Sequence, residues 1–252
     1  LGADVVTIGV QPNGLNINLE CGATHCSTLQ KAVLQHHADL GIALDGDGDR
    51  IMMVDKQGRL YDGDQLLYII AKHRKQRRLL RGGVVGTLMT NLAIENRFKK
   101  MNIPFLRAKV GDRHVLELLH EKKWYLGGEN SGHIVCKDKH TTGDGIISAL
   151  QVLYALRDTQ KTLAQSMRGV SLYPQRLINV KISKPFDFST NEAIKTMQEA
   201  AEADLNSKGR VLIRASGTEP LIRIMIEGES KHKVNHWAER IAEAMRIAAN
   251  HS

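Results

Sequence analysis

The sequence predicts an α/β protein with mainly parallel, mixed sheets and flanking helices, followed by a C-terminal α+β domain that binds phosphate. As far as about residue 157, short apolar runs alternate with longer helical patterns, which is typical of βαβ units. From about Tyr173 the order changes to strand, helix, strand, strand, helix. The chain has 252 residues, 42% hydrophobic and 25% charged, which is enough for one large or two smaller buried cores.

The first predicted domain is residues 1–76. Its predicted elements are, in order, a strand from Val5 to Ile8, a helix over 28–38, strands at 41–44 and 51–54, and a helix through 66–70. Ser27 can cap the first helix, because its hydroxyl can accept a hydrogen bond from the first turn. The two middle strands are separated by one short loop, so we expect them to pair on either side of it.

The second and third predicted domains are residues 77–170 and 171–252. The second alternates strands at 82–87, 103–106 and 124–126 with helices at 91–101, from 112 onward and within 141–157. Thr90 or Asn91 can cap the first of these helices. The third has strands at 177–182, 211–214 and 221–226, with helices at 191–205 and after Lys231.

The loop from Asp45 to Arg50 carries aspartates at alternate positions, Asp45, Asp47 and Asp49. Three carboxylates so close destabilise one another's ionised forms unless a cation lies among them. The glycines between them let the backbone curl so that the side chains converge. Mg²⁺ prefers oxygen ligands, so the loop predicts a magnesium site. An EF-hand is excluded, because Arg50 and Lys56 stand where it needs Gly and Glu. A polar turn between strands is the plainer alternative.

A second loop, Arg214 to Pro220, lies between two predicted strands and is followed by Arg223. Guanidinium groups bind phosphate in a bidentate manner, and the hydroxyls of Ser216 and Thr218 add neutral donors. Backbone N–H groups around Gly217 can point at the same anion. The loop therefore predicts a phosphate site. The plainer interpretation is a hairpin turn whose hydroxyls satisfy the local backbone.

A third loop, Gly127 to His133, is rich in glycine and hydrogen-bonding side chains. Glu129 and Ser131 stand two residues apart, so in an extended segment they project to the same side. Such a pair can bind neighbouring sugar hydroxyls, and Glu129 can bind the amine of an amino sugar. The alternative is an ordinary turn in which the glutamate is hydrogen-bonded within the protein, since glycine-rich loops are common. Lys109 precedes a predicted helix whose N-terminus favours an anion, but taken alone this segment is better explained as an exposed first turn. His133, taken alone, is better explained as a structural histidine. Together the three loops indicate phosphoryl transfer on a phosphorylated sugar.

Composition narrows the classes of partner. A formal net charge of +8 and a pI near 9.4 favour anionic partners. Nucleic acid ranks last, because aromatic residues are only 4% and the basic run at 72–81 is better explained as a solvated helix end. No apolar run reaches the length of a membrane span. The three cysteines, Cys21, Cys26 and Cys136, are an odd number and so do not make a complete set of disulfides. This suggests a reducing compartment, the cytoplasm.

In their order and context the three loops resemble the motifs of the α-D-phosphohexomutase superfamily, along essentially the whole sequence. Asn130 lies between Glu129 and Ser131, where the phosphoglucose and phosphomannose branches usually carry Met, and this is typical of the glucosamine branch. Lys109 to Arg113 and Thr141 to Gly145 also resemble that branch. The resemblance implies an isomerase that interconverts glucosamine 6-phosphate and glucosamine 1-phosphate for cell-wall precursor synthesis.

The resemblance also implies a role for each motif. In the superfamily a phosphoserine donates its phosphoryl group, and a bound 1,6-bisphosphate returns the other one. By position, the three aspartates would hold Mg²⁺, Arg50 would meet the phosphoserine, and Lys109 and His133 would transfer protons or stabilise charge. The residues implied to bind substrate are Glu129, Asn130 and Ser131 for the sugar, and Arg214, Ser216, Gly217, Thr218 and Arg223 for the phosphate that does not react.

The superfamily's catalytic serine lies in an N-terminal loop of Ser-His-Asn-Pro type, and this sequence has no such loop. Leu1 also falls inside the superfamily's second domain. We therefore expect the chain to be a C-terminal portion that binds Mg²⁺ and a phosphorylated amino sugar weakly. We expect no turnover without the N-terminal domain that carries the phosphoserine. The alternative hypothesis is a non-catalytic module that binds a phosphosugar or a partner protein.

Overall fold

The computed structural model describes residues 2–182, 187–216 and 219–250. The chain divides into two compact units, Leu1–Val170 and Ser171–Ser252. Both units combine helices with sheets, which confirms the predicted α/β class. Within the described ranges, no helix has the length and apolar character needed to cross a membrane. The predicted three-part division, with boundaries after residues 76 and 170, stays a prediction.

The first sheet of the first unit carries the aspartate loop. Its antiparallel strands are, in order, β1 (Leu40–Leu44), β2 (Ile51–Asp55) and β3 (Leu60–Tyr61). Helix α1 (Ser27–Gln35) packs on this sheet through the buried side chains of Leu29 and Val33. Leu44 pairs with Ile51, so the hairpin register holds the two ends of the loop together.

The predicted strand from Val5 to Ile8 is wrong. Residues 2–8 have no regular secondary structure, and the side chains of Val5 and Val6 are largely exposed. A strand needs a hydrogen-bonded neighbour to satisfy its backbone groups. None of the described segments pairs with residues 2–8, so β-propensity alone does not make this segment a strand.

Helix α1 also differs from its prediction. It begins at Ser27 with Cys26 as the N-cap, and no side chain caps it. It ends at Gln35 rather than near residue 38, because His37 adopts a left-handed φ of 51° that a helix cannot continue through.

The second sheet of the first unit is mixed. Its strand order is β5-β4-β6-β7, with β4 parallel to β5 and β6, and β7 antiparallel to β6. The elements in chain order are α2 (Gly63–Gln76), β4 (Val84–Thr87), α3 (Leu92–Lys100), β5 (Phe105–Ala108), α4 (Asp112–Glu121), β6 (Leu126–Gly128), β7 (Ile134–Cys136), α5 (Gly145–Thr159) and α6 (Leu163–Ser166). Asn91 caps α3 as predicted, by accepting the N–H of Ala93. Because the carboxyl ends of parallel strands share one edge, the loops after β4, β5 and β6 begin at the same edge.

The second unit is an antiparallel sheet with helices on one face. Its strand order is β8-β10-β9. The elements in chain order are β8 (Gln175–Lys181), a 3₁₀ turn (Phe188–Thr190), α7 (Glu192–Leu205), β9 (Gly209–Ala215), β10 (Leu221–Gly228) and α8 (Lys231–Asn250). Side chains such as Ile224 and Ile241 form one buried core between the sheet and the helices. The predicted order of elements in this region is confirmed.

The sequence predicts mainly parallel sheets, but among the described residues parallel pairing is limited to β4 with β5 and β6. The loops that join β1 to β2, β2 to β3 and β9 to β10 are short. Parallel neighbours need a crossover of about a dozen residues or more, so these short loops allow only antiparallel hairpins.

Asp64, in the first turn of α2, is a buried carboxylate near the shared strand edge. It is 1% exposed, its Oδ2 accepts the N–H of Asn91 at 2.8 Å, and its Oδ1 has no hydrogen-bond partner in the described structure. Burial, and then the charge of Asp62, raise the pKa of Asp64 to about 7. The folded protein therefore keeps a proton on this group that the unfolded chain loses near pH 4.

Because of this proton, the Asp64 contribution to the free energy of unfolding falls as the pH rises from about 4 to about 7. Asparagine keeps the shape and the acceptor oxygen but does not titrate. We expect Asp64→Asn to lose less stability than the parent between pH 5 and pH 8, as measured by urea denaturation at both values. Asp39→Asn, at an exposed carboxylate, is the control and should follow the parent. Equal pH dependence in Asp64→Asn and the parent would contradict the assignment.

Candidate functional site

The aspartate loop brings its three carboxylates together. One oxygen from each of Asp45, Asp47 and Asp49 lies within 4.8 Å of the other two. Gly48 closes the turn by donating its N–H to the Asp45 carbonyl oxygen at 3.1 Å, with a left-handed φ of 72° that glycine adopts readily. Asp45 Oδ1 accepts the N–H of Arg50 at 2.9 Å, whereas Asp49 Oδ1 is buried without a hydrogen-bond partner in the described structure. This set of oxygens fits a hard divalent cation such as Mg²⁺.

Two neighbours hold the aspartate loop. Gly145, the first residue of α5, donates its N–H to the Gly48 carbonyl oxygen at 2.8 Å. The Nε of Arg50 lies 3.7 Å from Asp45 Oδ2 and 3.8 Å from Asp49 Oδ1, too far for hydrogen bonds. The guanidinium therefore offsets part of the loop's negative charge without occupying its carboxylate oxygens.

His133 contacts the aspartate loop directly. Its Nδ1 lies 2.9 Å from Asp49 Oδ2, and the ring is only 3% exposed. Its Nε2 is buried without a partner in the described structure. Gly143 leaves the space for the ring, since a Cβ at that position would lie 2.3 Å from it. His133 therefore fixes the orientation of the Asp49 carboxylate.

The Gly127–His133 loop is held by the starts of two helices. Glu129 is 8% exposed, and its Oε1 accepts the N–H of Gly111, the N-cap of α4, at 2.9 Å. The carbonyl oxygen of Asn130 accepts the N–H of Gly63, the first residue of α2, at 3.1 Å. Ser131 Oγ is buried without a partner in the described structure. The glutamate is thus fixed by the protein, while the serine hydroxyl remains available to a ligand.

These residues line a cleft of about 330 Å³, which we call the loop cleft. Its lining residues are Asp49, Arg50, Val110, Gly111, Asp112, Glu129, Asn130, Ser131 and His133. Four buried polar atoms of this lining have no hydrogen-bond partner among the described residues: Asp49 Oδ1, Arg50 Nε, Ser131 Oγ and His133 Nε2. A buried polar atom without a partner costs about 1–3 kcal/mol. A cluster of four, in a cleft of ligand-binding size, indicates a site for a polar ligand.

Three predicted site residues of the first unit, Asp45, Asp47 and Lys109, do not line the loop cleft. The two aspartates lie in the aspartate loop beside Asp49, whereas Lys109 lies outside that loop. It is exposed and follows β5, directly before the cleft residues Val110 and Gly111. The structure therefore brings Arg50, Glu129, Asn130, Ser131 and His133 together with Asp49, and places Lys109 next to them in the chain.

The second unit holds the predicted phosphate loop. Arg214 on β9 and Arg223 on β10 are direct cross-strand partners. Burial, and then the charge of Arg223, lower the pKa of Arg214. Arg223 donates to Glu219 Oε2 at 3.1 Å, but its Nε is buried without a partner in the described structure. Ser216 Oγ accepts the N–H of Glu219 at 3.3 Å. The guanidinium groups of Arg214 and Arg223 lie on neighbouring strands, and Arg223 is bonded to one exposed carboxylate, that of Glu219. Such a pair of guanidiniums suits an anion.

Gly217 and Thr218, also predicted to bind phosphate, lie outside the described residues.

Three domain models of one family match consecutive parts of this chain. They are described as phosphoglucomutase/phosphomannomutase alpha/beta/alpha domain II, at residues 3–58, alpha/beta/alpha domain III, at 62–173, and the C-terminal domain, at 177–244. The chain belongs to the phosphoglucomutase/phosphomannomutase family. The predicted membership of the phosphohexomutases is confirmed, and the aspartate loop, the Gly127–His133 loop and the Arg214–Pro220 loop are therefore loops of a phosphohexomutase chain.

Several curated relatives in this family are phosphoglucosamine mutases. That of Nitrosospira multiformis is 68% identical to this chain over 249 residues, and that of Nitrosomonas europaea is 64% identical over 249 residues. Each alignment covers 99% of this chain and 54% of the relative. The chain thus spans about half the length of the curated relatives it matches.

Solved structures of the family share the fold. The N-acetylphosphoglucosamine mutase of Aspergillus fumigatus, in complex with GlcNAc-6P and magnesium, has a TM-score of 0.75 at 23% identity, covering 92% of this chain and 54% of that chain. A phosphoglucomutase/phosphomannomutase family protein of Burkholderia thailandensis has a TM-score of 0.71 at 20% identity, covering 90% of this chain and 51% of that one. At these identities the likeness supports the fold alone.

The glycines that position the loop cleft were not among the predicted site residues. Gly143 makes room for His133, and a Cβ at Gly63 would lie 2.0 Å from the Glu129 carbonyl oxygen. A Cβ at Gly145 would lie 2.9 Å from the carbonyl oxygens of Gly48 and Arg50. Glycine in a polar loop before a helix was the available signal, but glycine is also common in ordinary loops.

Proposed function

We propose that this chain is the part of a phosphoglucosamine mutase that binds the metal, the sugar and a phosphate group. The whole enzyme would interconvert glucosamine 6-phosphate and glucosamine 1-phosphate. The observation that supports this proposal most directly is the loop cleft. There, four buried polar atoms of the aspartate loop and the Gly127–His133 loop have no hydrogen-bond partner in the part of the chain that the structure describes. The high identity to phosphoglucosamine mutases supports the choice of sugar. We also propose the domain division 1–76, 77–170 and 171–252.

The metal ligands would be Asp45, Asp47 and Asp49, with Mg²⁺ as the ion. Their mutual approach within 4.8 Å and the unpartnered Oδ1 of Asp49 support this assignment. When bound, the ion would supply positive charge where a phosphoryl group is transferred. His133 would hold Asp49 in orientation, because its Nδ1 lies 2.9 Å from Asp49 Oδ2. Such an outer contact fixes a metal ligand before the ion arrives.

The sugar would bind at Glu129, Asn130 and Ser131. Ser131 Oγ can donate to or accept from a hydroxyl, and the Glu129 carboxylate can accept from a hydroxyl or from the ammonium of an amino sugar. The N–H of Gly111 holds the Glu129 carboxylate in position through the bond to its Oε1. This arrangement favours glucosamine over glucose at the loop cleft.

The phosphate that does not react would bind in the second unit, at Arg214, Ser216, Gly217, Thr218 and Arg223. The facing arginines support this assignment, because two guanidiniums can contact a dianion from two sides.

The reacting phosphoryl group would come from a phosphoserine of an N-terminal domain, and Arg50 would contact it. Transfer to the O1 hydroxyl of glucosamine 6-phosphate forms the 1,6-bisphosphate and leaves the serine unphosphorylated. Return of the phosphoryl group from O6 restores the phosphoserine and gives glucosamine 1-phosphate. Lys109 and His133 would stabilise charge or move a proton in these steps. The product would enter cell-wall precursor synthesis in the cytoplasm.

The proposal predicts how the chain binds ligands, as measured by isothermal titration calorimetry with Mg²⁺ present. Glucosamine 6-phosphate should bind more tightly than glucose 6-phosphate, and glucosamine without phosphate should bind weakest. Arg214→Gln should weaken glucosamine 6-phosphate by about tenfold or more, since it removes a charged hydrogen-bond partner of the phosphate. Lys195→Met, at an exposed lysine on α7, is the control. Equal affinity for the phosphorylated and the unphosphorylated sugar would contradict the proposal.

A further inference from the structure

The sheet of the second unit extends the arginine pair into a longer row of polar residues. Arg223 on β10 faces Arg214 on β9 on one side and Asn179 on β8 on the other. Directly opposed residues in an antiparallel sheet have Cβ atoms about 4.5–5.5 Å apart on the same face. Lys181 comes two residues after Asn179 on β8, opposite Leu221, and therefore projects to that face as well. The row belongs to three strands rather than to the β9–β10 hairpin alone.

The face that carries this row is opposite the face on which α7 and α8 pack. Val180 and Ile222 belong to the buried core formed with α7 and α8. Because side chains alternate along a strand, Asn179 and Lys181 project away from that core. Both are exposed, and neither has a side-chain hydrogen bond or an ion pair with another described residue. The amide group of Asn179 and the ammonium group of Lys181 are therefore available to a ligand.

The charge on this face matches a phosphate group. Arg214, Arg223 and Lys181 provide three positive charges, and Glu219, bonded to Arg223, provides one negative charge. Two positive charges remain, and a phosphate monoester carries about −1.5 to −2 at neutral pH. The buried Nε of Arg223 still lacks a partner in the described structure. The backbone joins the row to the phosphate loop, since the N–H of Ile182, directly after β8, donates to the Pro220 carbonyl oxygen at 3.0 Å.

We propose that Asn179 and Lys181 form a third side of the phosphate site and bind the phosphate monoester of the sugar together with Arg214 and Arg223. The Lys181 ammonium supplies a point charge, and the Asn179 amide supplies a directional N–H donor. This inference rests on the proposed function, because it adds two residues to the same phosphate site. It goes beyond that function by assigning part of the affinity to β8.

The test measures binding of glucosamine 6-phosphate to the full chain by calorimetry at low and at moderate salt. Lys181→Met keeps the aliphatic stem and removes the charge, and Asn179→Ser shortens the donor on an exposed strand position. Lys195→Met removes a lysine from α7, in the opposite layer of the same unit. Arg214→Gln marks the loss expected from a direct ligand. Circular dichroism melts establish that each variant is folded.

We expect Lys181→Met to weaken binding about three- to tenfold at low salt, and less at higher salt, because exposed charges are screened. We expect Asn179→Ser to weaken it about two- to fivefold, the value of one hydrogen bond. Lys195→Met should bind like the parent. If Lys181→Met and Asn179→Ser both bind like the parent while Arg214→Gln does not, the inference is wrong and the proposed function stands. If Arg214→Gln also binds like the parent, the proposed phosphate site itself is wrong.

Discussion

Asp49→Ala should abolish most of the divalent-metal affinity of this chain. The substitution removes one of three converging carboxylates and also the acceptor of His133 Nδ1. Outer contacts to metal ligands are alone worth about 10–100-fold in affinity, so loss of a ligand should cost on the order of 100-fold or more. Mn²⁺, which prefers the same oxygen ligands as Mg²⁺, allows the measurement by electron paramagnetic resonance.

The matched control for Asp49→Ala is Asp39→Ala, which removes an exposed carboxylate of the same unit outside the loop. It should bind Mn²⁺ like the parent. A second variant, His133→Ala, should lower the affinity by about tenfold, because it frees the Asp49 carboxylate to rotate. Unchanged Mn²⁺ binding by Asp49→Ala would show that the aspartate loop is only a polar turn.

Gly132→Ala should strongly lower the free energy of unfolding. Gly132 adopts a φ of 98°, and a Cβ there would lie 2.3 Å from the Ile51 carbonyl oxygen. The Gly132 carbonyl oxygen also accepts the N–H of Ile51 at 3.1 Å, so the Gly127–His133 loop is joined to β2 at this point. Backbone strain and a clash with backbone each cost about 1–3 kcal/mol, so the free energy of unfolding should fall by about 2–6 kcal/mol. Urea denaturation measures it.

Gly14→Ala separates the clash from the strain. Gly14 also has a positive φ, 84°, but no atom of the described residues lies within 4 Å of its added Cβ. This control should lose only about 1 kcal/mol, the cost of a left-handed conformation in a residue with a Cβ. Gly132→Ala should also lose Mn²⁺ affinity, because His133 is the next residue and contacts Asp49. Equal stability losses at the two positions would contradict the close approach of Gly132 to β2.

The aspartate loop was predictable from the sequence because its evidence is local. Three carboxylates within five positions, with glycines between them, predict the same convergence in any hairpin. The contact of His133 with Asp49 was not predictable, since the two residues are 84 positions apart and meet where an isolated β-bridge joins Arg50 to His133. The sequence suggested His133 as a candidate, but it could not say which atom His133 contacts.

The strand predicted from Val5 to Ile8 is a case in which local sequence evidence gave a wrong prediction. Its valines and isoleucine favour extended structure, yet a strand is defined by a neighbour, and propensity carries no information on whether one is present. Lys109 stays a prediction in a similar way. Its position after β5 follows from the order of elements, but the direction of a flexible, exposed lysine is not encoded in that order.

The central claim is that this chain supplies the metal, sugar and phosphate sites of a phosphoglucosamine mutase. The most direct measurement is the turnover of a chimera in which the N-terminal half of the Nitrosospira multiformis enzyme precedes this chain. We expect the chimera to convert glucosamine 6-phosphate to glucosamine 1-phosphate with Mg²⁺, and the same chimera with Asp49→Ala to lose that activity. A folded chimera that binds glucosamine 6-phosphate as the N. multiformis enzyme does, yet forms no glucosamine 1-phosphate, would contradict the claim.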